Sequence, residues 1–146
     1  EYYMDDAEIA IVILSSAAGT VKTVVDAMRA KGEKVGLLRP RIFRPFPYAE
    51  LADALSNVKA VAVMDRADST GAEGGPLFME FKSALYNNKK QPVMINKIFG
   101  LGGRDLMLPD IEMVYRELRD IKNTGKIRTI SEYITVRGEE AVYGKA

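Results

Sequence analysis

Hydrophobic positions along this chain follow two rhythms in turn: short solid apolar runs, and stretches with apolar residues every third or fourth place. Ile9 to Leu14 (IAIVIL) is a continuous run rich in β-branched residues, the pattern of a strand buried on both faces. Small residues from Ser15 to Gly19 then predict a turn. Across Thr20 to Lys31, Val21, Val24, Val25 and Met28 recur at helical spacing, with Gly32 suited to stop the helix. Val35 to Leu38 is a second apolar run. The proline-punctuated loop Arg39 to Pro47 excludes regular helix, and Leu51, Ala52 and Leu55 mark a short helix after it.

A third run, Ala60 to Met64, stops at Asp65, where the glycine-rich loop Arg66 to Gly75 begins. Pro76 occupies a favoured first-turn position, and Leu77, Phe78, Phe81 and Leu85 form the buried stripe of the helix it opens. Val93 to Ile98 predicts a fourth strand, followed by a second glycine loop around Gly100 to Gly103. Pro109 opens the longest helix, striped by Ile111, Val114, Tyr115, Leu118 and Ile121 and closed by Asn123 to Gly125. A last strand is expected near Tyr133 to Val136.

Four strand-then-helix repeats predict an α/β fold: a three-layer αβα arrangement around an open, mostly parallel sheet. Ligands and partners of such sheets bind at loops following the strands' carboxyl ends. Those loops are Ser15 to Gly19, Arg39 to Pro47, Asp65 to Gly75 and Phe99 to Leu108.

Composition narrows the chemistry further. The 146 residues contain neither cysteine nor histidine, which excludes disulfides, thiol nucleophiles, iron–sulfur ligation, ordinary zinc sites and serine–histidine triads. With 21 basic and 20 acidic residues the net charge is +1, so no global field draws nucleic acid or an anionic membrane. No apolar run approaches the roughly 20 residues of a membrane span, and the amino end lacks a signal-peptide pattern. Neither nucleic acid nor membrane is expected as a partner. The chain opens at Glu1 instead of methionine. It is expected to be one domain, residues 1 to 146, cut from a longer polypeptide.

Four segments carry candidate chemistry. Ser15 to Thr20 (SSAAGT) offers backbone amides at a helix amino end, where a phosphate can sit; the alternative is a plain turn capped by Thr20. Between Arg29 and Arg44 stand Arg29, Lys31, Lys34, Arg39, Arg41 and Arg44 against Glu33 alone, a local charge of 6 − 1 = +5. That cluster suits an acidic partner or anionic ligand, or is an ordinary solvated loop. In DRADSTGAEGG, Asp65, Arg66, Ser69, Gly71, Gly74 and Gly75 gather a carboxylate, a guanidinium, hydroxyls and exposed amides at one sheet edge. FGLGGRD repeats the theme with Gly100, Gly102, Gly103, Arg104 and Asp105. Glycine suits close approach of a ligand, or equally of another subunit.

The ordered strings RIFRPFPYAEL, VAVMDRADSTGAEGGPLFMEF and KIFGLGGRD closely resemble domain II, the transketolase-carboxyl-terminal-like part, of the α subunit of pyruvate:ferredoxin oxidoreductase and related 2-oxoacid:ferredoxin oxidoreductases. The likeness runs from about Asp6 to Asp105 and more loosely through the last helix. It implies a complex that oxidatively decarboxylates a 2-oxoacid with coenzyme A, releases carbon dioxide and reduces ferredoxin. Thiamine diphosphate, magnesium and iron–sulfur clusters are then held by other domains or subunits, with no cofactor in this one. The domain itself is expected to be a noncatalytic interface element, inactive alone and cytoplasmic, with Arg44 and the two glycine loops facing neighbouring domains. One position departs: the family's first turn usually reads Gly-Ser before the Gly-Thr, and Ser15 replaces that glycine. From the residues alone, a free-standing α/β module binding a nucleotide or other phosphate ligand is the alternative. The FGLGGRD and RPFP strings argue against a transketolase or dehydrogenase β subunit.

Overall fold

A computed structural model describes residues 1–136. The elements are β1 (Ile9–Ile13), α1 (Ala17–Arg29), β2 (Val35–Leu38), α2 (Tyr48–Ala54), β3 (Ala60–Asp65), α3 (Pro76–Leu85), β4 (Val93–Ile98), a single 3₁₀ turn (Leu101–Gly103), α4 (Leu108–Thr124) and β5 (Ser131–Tyr133). All five strands are parallel, in the order β2-β1-β3-β4-β5.

The solid apolar runs become central strands because both their faces are covered. Ile9, Ile11 and Ile13 of β1, with Ala60, Ala62 and Met64 of β3, point into a core under α1 and α4. The alternate residues Ala10, Val12, Val61 and Val63 point into a second core under α2 and α3. A one-residue register slip would exchange these sets, so the pairing Ile9↔Ala60 is fixed by both layers at once.

The helical stripes fit the same cores. Val21, Val24, Val25 and Met28 on α1 meet Ile111, Val114, Tyr115, Leu118 and Ile121 on α4. Tyr115 is fully buried, and its hydroxyl donates to the Gly36 carbonyl at 2.8 Å. Gly125, in the left-handed region with φ of 69°, ends α4. Because α4 returns over the α1 face, β3–α3–β4 and β4–α4–β5 step the same way across the sheet on opposite faces. They therefore have opposite hands, and the β4–α4–β5 connection departs from the usual right-handed rule. That connection delivers only a three-residue edge strand.

The last strand lies earlier than Tyr133 to Val136, at Ser131–Tyr133. Asn96 sets the register, its N–H reaching the Ile130 carbonyl at 2.7 Å and its Oδ1 accepting from Ser131 Oγ at 3.0 Å. Thr135, at φ of 60°, turns the chain out of extended geometry.

Candidate functional site

Strands β1 to β4 deliver their carboxyl ends to one edge, and the chain changes direction between β1 and β3. A cleft of about 450 Å³ opens there, lined among others by Ser16, Thr20, Arg66, Phe99, Arg104 and Asp105. A smaller recess of about 100 Å³ lies beside it, bounded by residues including Ser15, Met64, Asp65 and Phe99.

The first turn differs from a Thr20-capped helix. Helix α1 starts at Ala17, three residues before Thr20, and Ser16 precedes it without a capping side-chain bond. Alanine's high helix propensity lets Ala17 and Ala18 form the first turn. Ser15 sits at φ of 66°, a left-handed conformation that disfavours any residue with a Cβ. Ser15→Gly is expected to stabilise the chain by about 0.5–1 kcal/mol. Thermal unfolding should show a midpoint about 2 °C higher; an unchanged or lower midpoint would refute strain at this turn.

Asp65, at the end of β3, turns inward. Its Oδ1 accepts the Leu77 N–H at 2.8 Å and its Oδ2 accepts the Phe78 N–H at 3.1 Å, so the carboxylate caps α3 from another element. Asn96 on β4 donates Nδ2 to Asp65 Oδ2 at 2.9 Å and to the Val63 carbonyl at 2.9 Å. Its Oδ1 also accepts the Gly75 N–H at 3.0 Å. Burial pushes the Asp65 carboxyl above its usual pKa, while these hydrogen bonds oppose that rise.

Two glycines are required by this network. A Cβ on Gly75 would sit 2.3 Å from Asp65 Cγ, and one on Gly74, whose φ is 139°, would lie 2.7 Å from Asn96 Oδ1. Asp65, Gly74 and Gly75 thus join inside the domain, while Arg66, Ser69 and Gly71 continue into the loop. There the Ser69 N–H bonds Asp68 Oδ1 at 2.8 Å, and Tyr133 Oη donates to the same Asp68 carboxylate. That bond raises the Tyr133 hydroxyl pKa.

In the second loop Gly100, Gly102 and Gly103 all adopt left-handed φ. A Cβ on Gly100 would approach Arg66 Nε to 3.1 Å, which shows that the arginine lies across this glycine. Gly102 and Gly103 face open space, and Arg104 and Asp105 are exposed. Among the described residues neither Arg66 nor Arg104 has a carboxylate partner.

Arg44 is placed elsewhere. It pairs with Glu80 Oε1 of α3 at 2.7 Å, while Tyr48 Oη donates to Glu80 Oε2 at 2.6 Å. This contact raises the Tyr48 hydroxyl pKa. Arg44 therefore fastens the proline loop to α3 and lines none of the cleft. The basic segment is likewise divided, since Arg29 pairs with Asp6 at 2.6 Å, leaving Arg39 and Arg41 exposed after β2.

Two buried polar groups, of which only Asn96 belongs to the Asp65 network, were hidden inside the apolar run VMINKI. Besides Asn96, Lys97 is fully buried, with Nζ 2.6 Å from both Glu117 Oε2 and Glu132 Oε2. The sequence signal for both was a polar pair within an otherwise apolar strand. No group of three acidic side chains converges on a metal position among the described residues. None of their helices is long and apolar enough to cross a membrane.

A five-stranded parallel sheet with a cleft where its strand order reverses defines an open α/β domain, the class of fold in which the carboxyl edge is the usual place for a ligand. Solved structures agree on the fold. A 2-oxoglutarate:ferredoxin oxidoreductase from Magnetococcus marinus, with 2-oxoglutarate, coenzyme A and succinyl-CoA bound, aligns at a TM-score of 0.54 and 19% identity. The match covers 80% of this chain and 18% of that one. A split-gene transketolase, an inactive β4 tetramer, aligns at 0.61 and 15% identity over 81% of this chain and 40% of that one.

Residues 7–111 match the pyruvate:ferredoxin oxidoreductase core domain II family, and the chain belongs to it. It is 43% identical over 138 residues to pyruvate synthase subunit PorA of Methanosarcina barkeri, covering 94% of this chain and 34% of that protein. Against ketoisovalerate oxidoreductase subunit VorA of Pyrococcus furiosus, identity is 45% over 125 residues, 86% of this chain and 32% of that protein. The chain thus spans about a third of the length of these relatives.

Proposed function

We propose that this chain is a noncatalytic interface domain of the α subunit of a thiamine-diphosphate-dependent 2-oxoacid:ferredoxin oxidoreductase. The complex would convert a 2-oxoacid and coenzyme A to acyl-CoA and carbon dioxide while reducing ferredoxin, in the cytoplasm. The observation carrying the reading is the division of labour within the candidate motif. Asp65, the group most suited to catalysis, is fully engaged in capping α3. Arg66, Arg104 and the open glycines are left facing outward.

The residues do not fit an iron–sulfur cluster, because a sequence without cysteine supplies it no thiolate. In this reading the redox and carbanion chemistry belongs to other domains or subunits, and this domain contributes positioning.

Arg104→Ala in the complete complex tests the role. Losing one charge pair between neighbouring domains should impair assembly or lower turnover about tenfold, measured by size-exclusion recovery of the complex and by ferredoxin reduction per subunit. Unchanged assembly and turnover would overturn the interface role. Calorimetry of the 146-residue chain with coenzyme A, ATP and thiamine diphosphate addresses the rival module. No tight binding is expected; micromolar affinity for any of the three would favour the phosphate-ligand module instead.

A further inference from the structure

Among the described residues, most guanidinium groups without an ion pair are concentrated at one place. Arg39 and Arg41 follow β2, Arg66 follows β3 and Arg104 follows β4, so all four stand at the carboxyl edge of the sheet, and all are exposed. None has an ion pair among the described residues, whereas Arg29, Arg44, Arg119 and Arg128 each hold a carboxylate; Arg116 is the remaining exception. Acids within the same connections are largely committed. Asp68 receives the Tyr133 hydroxyl and Glu73 pairs with Lys82 at 2.6 Å, leaving Asp105. Ile42, Leu101 and Met107 are exposed in these connections too, at 55%, 37% and 59%.

A small anion in the cleft would engage Arg66 and Arg104 and leave Arg39 and Arg41 outside it. A protein surface meets all four together with the apolar residues between them. Gly71, Gly102 and Gly103 hold left-handed φ of 79°, 68° and 77°, which accounts for glycine there, and added Cβ atoms would meet nothing within 4 Å. Their open faces let another backbone come close.

We propose that this edge docks on a carboxylate-bearing surface of the same longer polypeptide, with Arg66 and Arg104 pairing to aspartate or glutamate side chains of a neighbouring domain. The inference rests on the interface reading and adds the partner's chemistry and origin. Relatives carry about two thirds of their length outside the region matched here. A domain tethered in the same chain is presented at high effective concentration, so a polar, arginine-rimmed contact of modest size suffices. Guanidinium groups suit it because they bind carboxylates in bidentate fashion.

The test uses the full-length subunit in its assembled complex, carrying Arg66→Lys or Arg104→Lys. Each variant keeps the charge and adds an amine that a carbodiimide can couple to a touching carboxylate. The expected result is a new amide between the lysine at position 66 or 104 and an aspartate or glutamate elsewhere in the same chain, read by peptide mass spectrometry. Coupling confined to a separately encoded subunit would overturn the same-chain origin. Hydrogen exchange of residues 66–75 and 100–105 in the complex separates the remaining outcomes. Slow exchange without coupling overturns the acidic partner and leaves the interface reading standing. Fast exchange without coupling overturns both.

Discussion

Asp65→Ala is expected to destabilise the chain by about 3 kcal/mol, because three buried donors lose their acceptor at once. The Leu77 and Phe78 N–H groups and the Asn96 amide all point at this carboxylate, with Asp65 itself only 4% exposed. Water cannot easily replace it, so desolvated amides are left unsatisfied at the first turn of α3. Asp65→Asn should recover little, since its amide nitrogen would face a donor wherever it is turned. The effect reads as a drop of about 10 °C in the thermal unfolding midpoint. If both substitutions left the midpoint within 1 °C, Asp65 would not be the cap of α3, and its candidacy as a ligand group would return.

Lys97→Met carries a comparable penalty, about 3 kcal/mol, for the opposite electrostatic reason. Removing the ammonium takes the shared cation from between the half-buried Glu117 and Glu132 carboxylates, both 2.6 Å from Nζ, and leaves Arg128, 2.5 Å from Glu132 Oε1, as a counter-charge on that side. Methionine fills the space of the lysine stem, so the cost isolates the charge from the cavity. The second substitution of a pair decides the matter. Lys97→Met with Glu117→Gln should be more stable than Lys97→Met alone, because only one of the two carboxylates then keeps its charge. A double variant no better than the single in urea unfolding would show that packing, and not charge balance, is what Lys97 contributes.

Both residues sit where pattern reading is weakest. The solid apolar runs revealed the strands because a parallel sheet buries both faces, and the stripe from Ile111 to Ile121 revealed α4 because one helical face must be covered. Asn96 and Lys97 interrupt such a run, and periodicity gives no reason for either. Asn96's partners Val63, Asp65, Gly75 and Ser131 lie between 21 and 35 residues away, on three other segments. The glycine loops were legible as loops, yet their roles separate only in space. Gly74 and Gly75 are pressed against Phe78 and Asp65, while Gly71, Gly102 and Gly103 meet nothing.

The basic segment from Arg29 to Arg44 shows the same limit from the side of charge. Counted along the chain it is one cluster of +5. Folded, Arg29 binds Asp6 and Arg44 binds Glu80, partners 23 and 36 residues distant, while Lys31, Lys34, Arg39 and Arg41 stay exposed, the last two at the same sheet edge as Arg66 and Arg104.

By itself the sequence determined the α/β class, the strand and helix order and the loops after the strands, and the resemblance of three ordered strings pointed to the family. The first three are local properties, set by the period of apolar residues and by glycine and proline within a few positions of one another. The tertiary structure alone decided which polar groups are consumed and which remain outward. A hydrogen bond or ion pair depends on distances of about 3 Å between segments remote in the chain, and those distances exist only once the sheet has set its register.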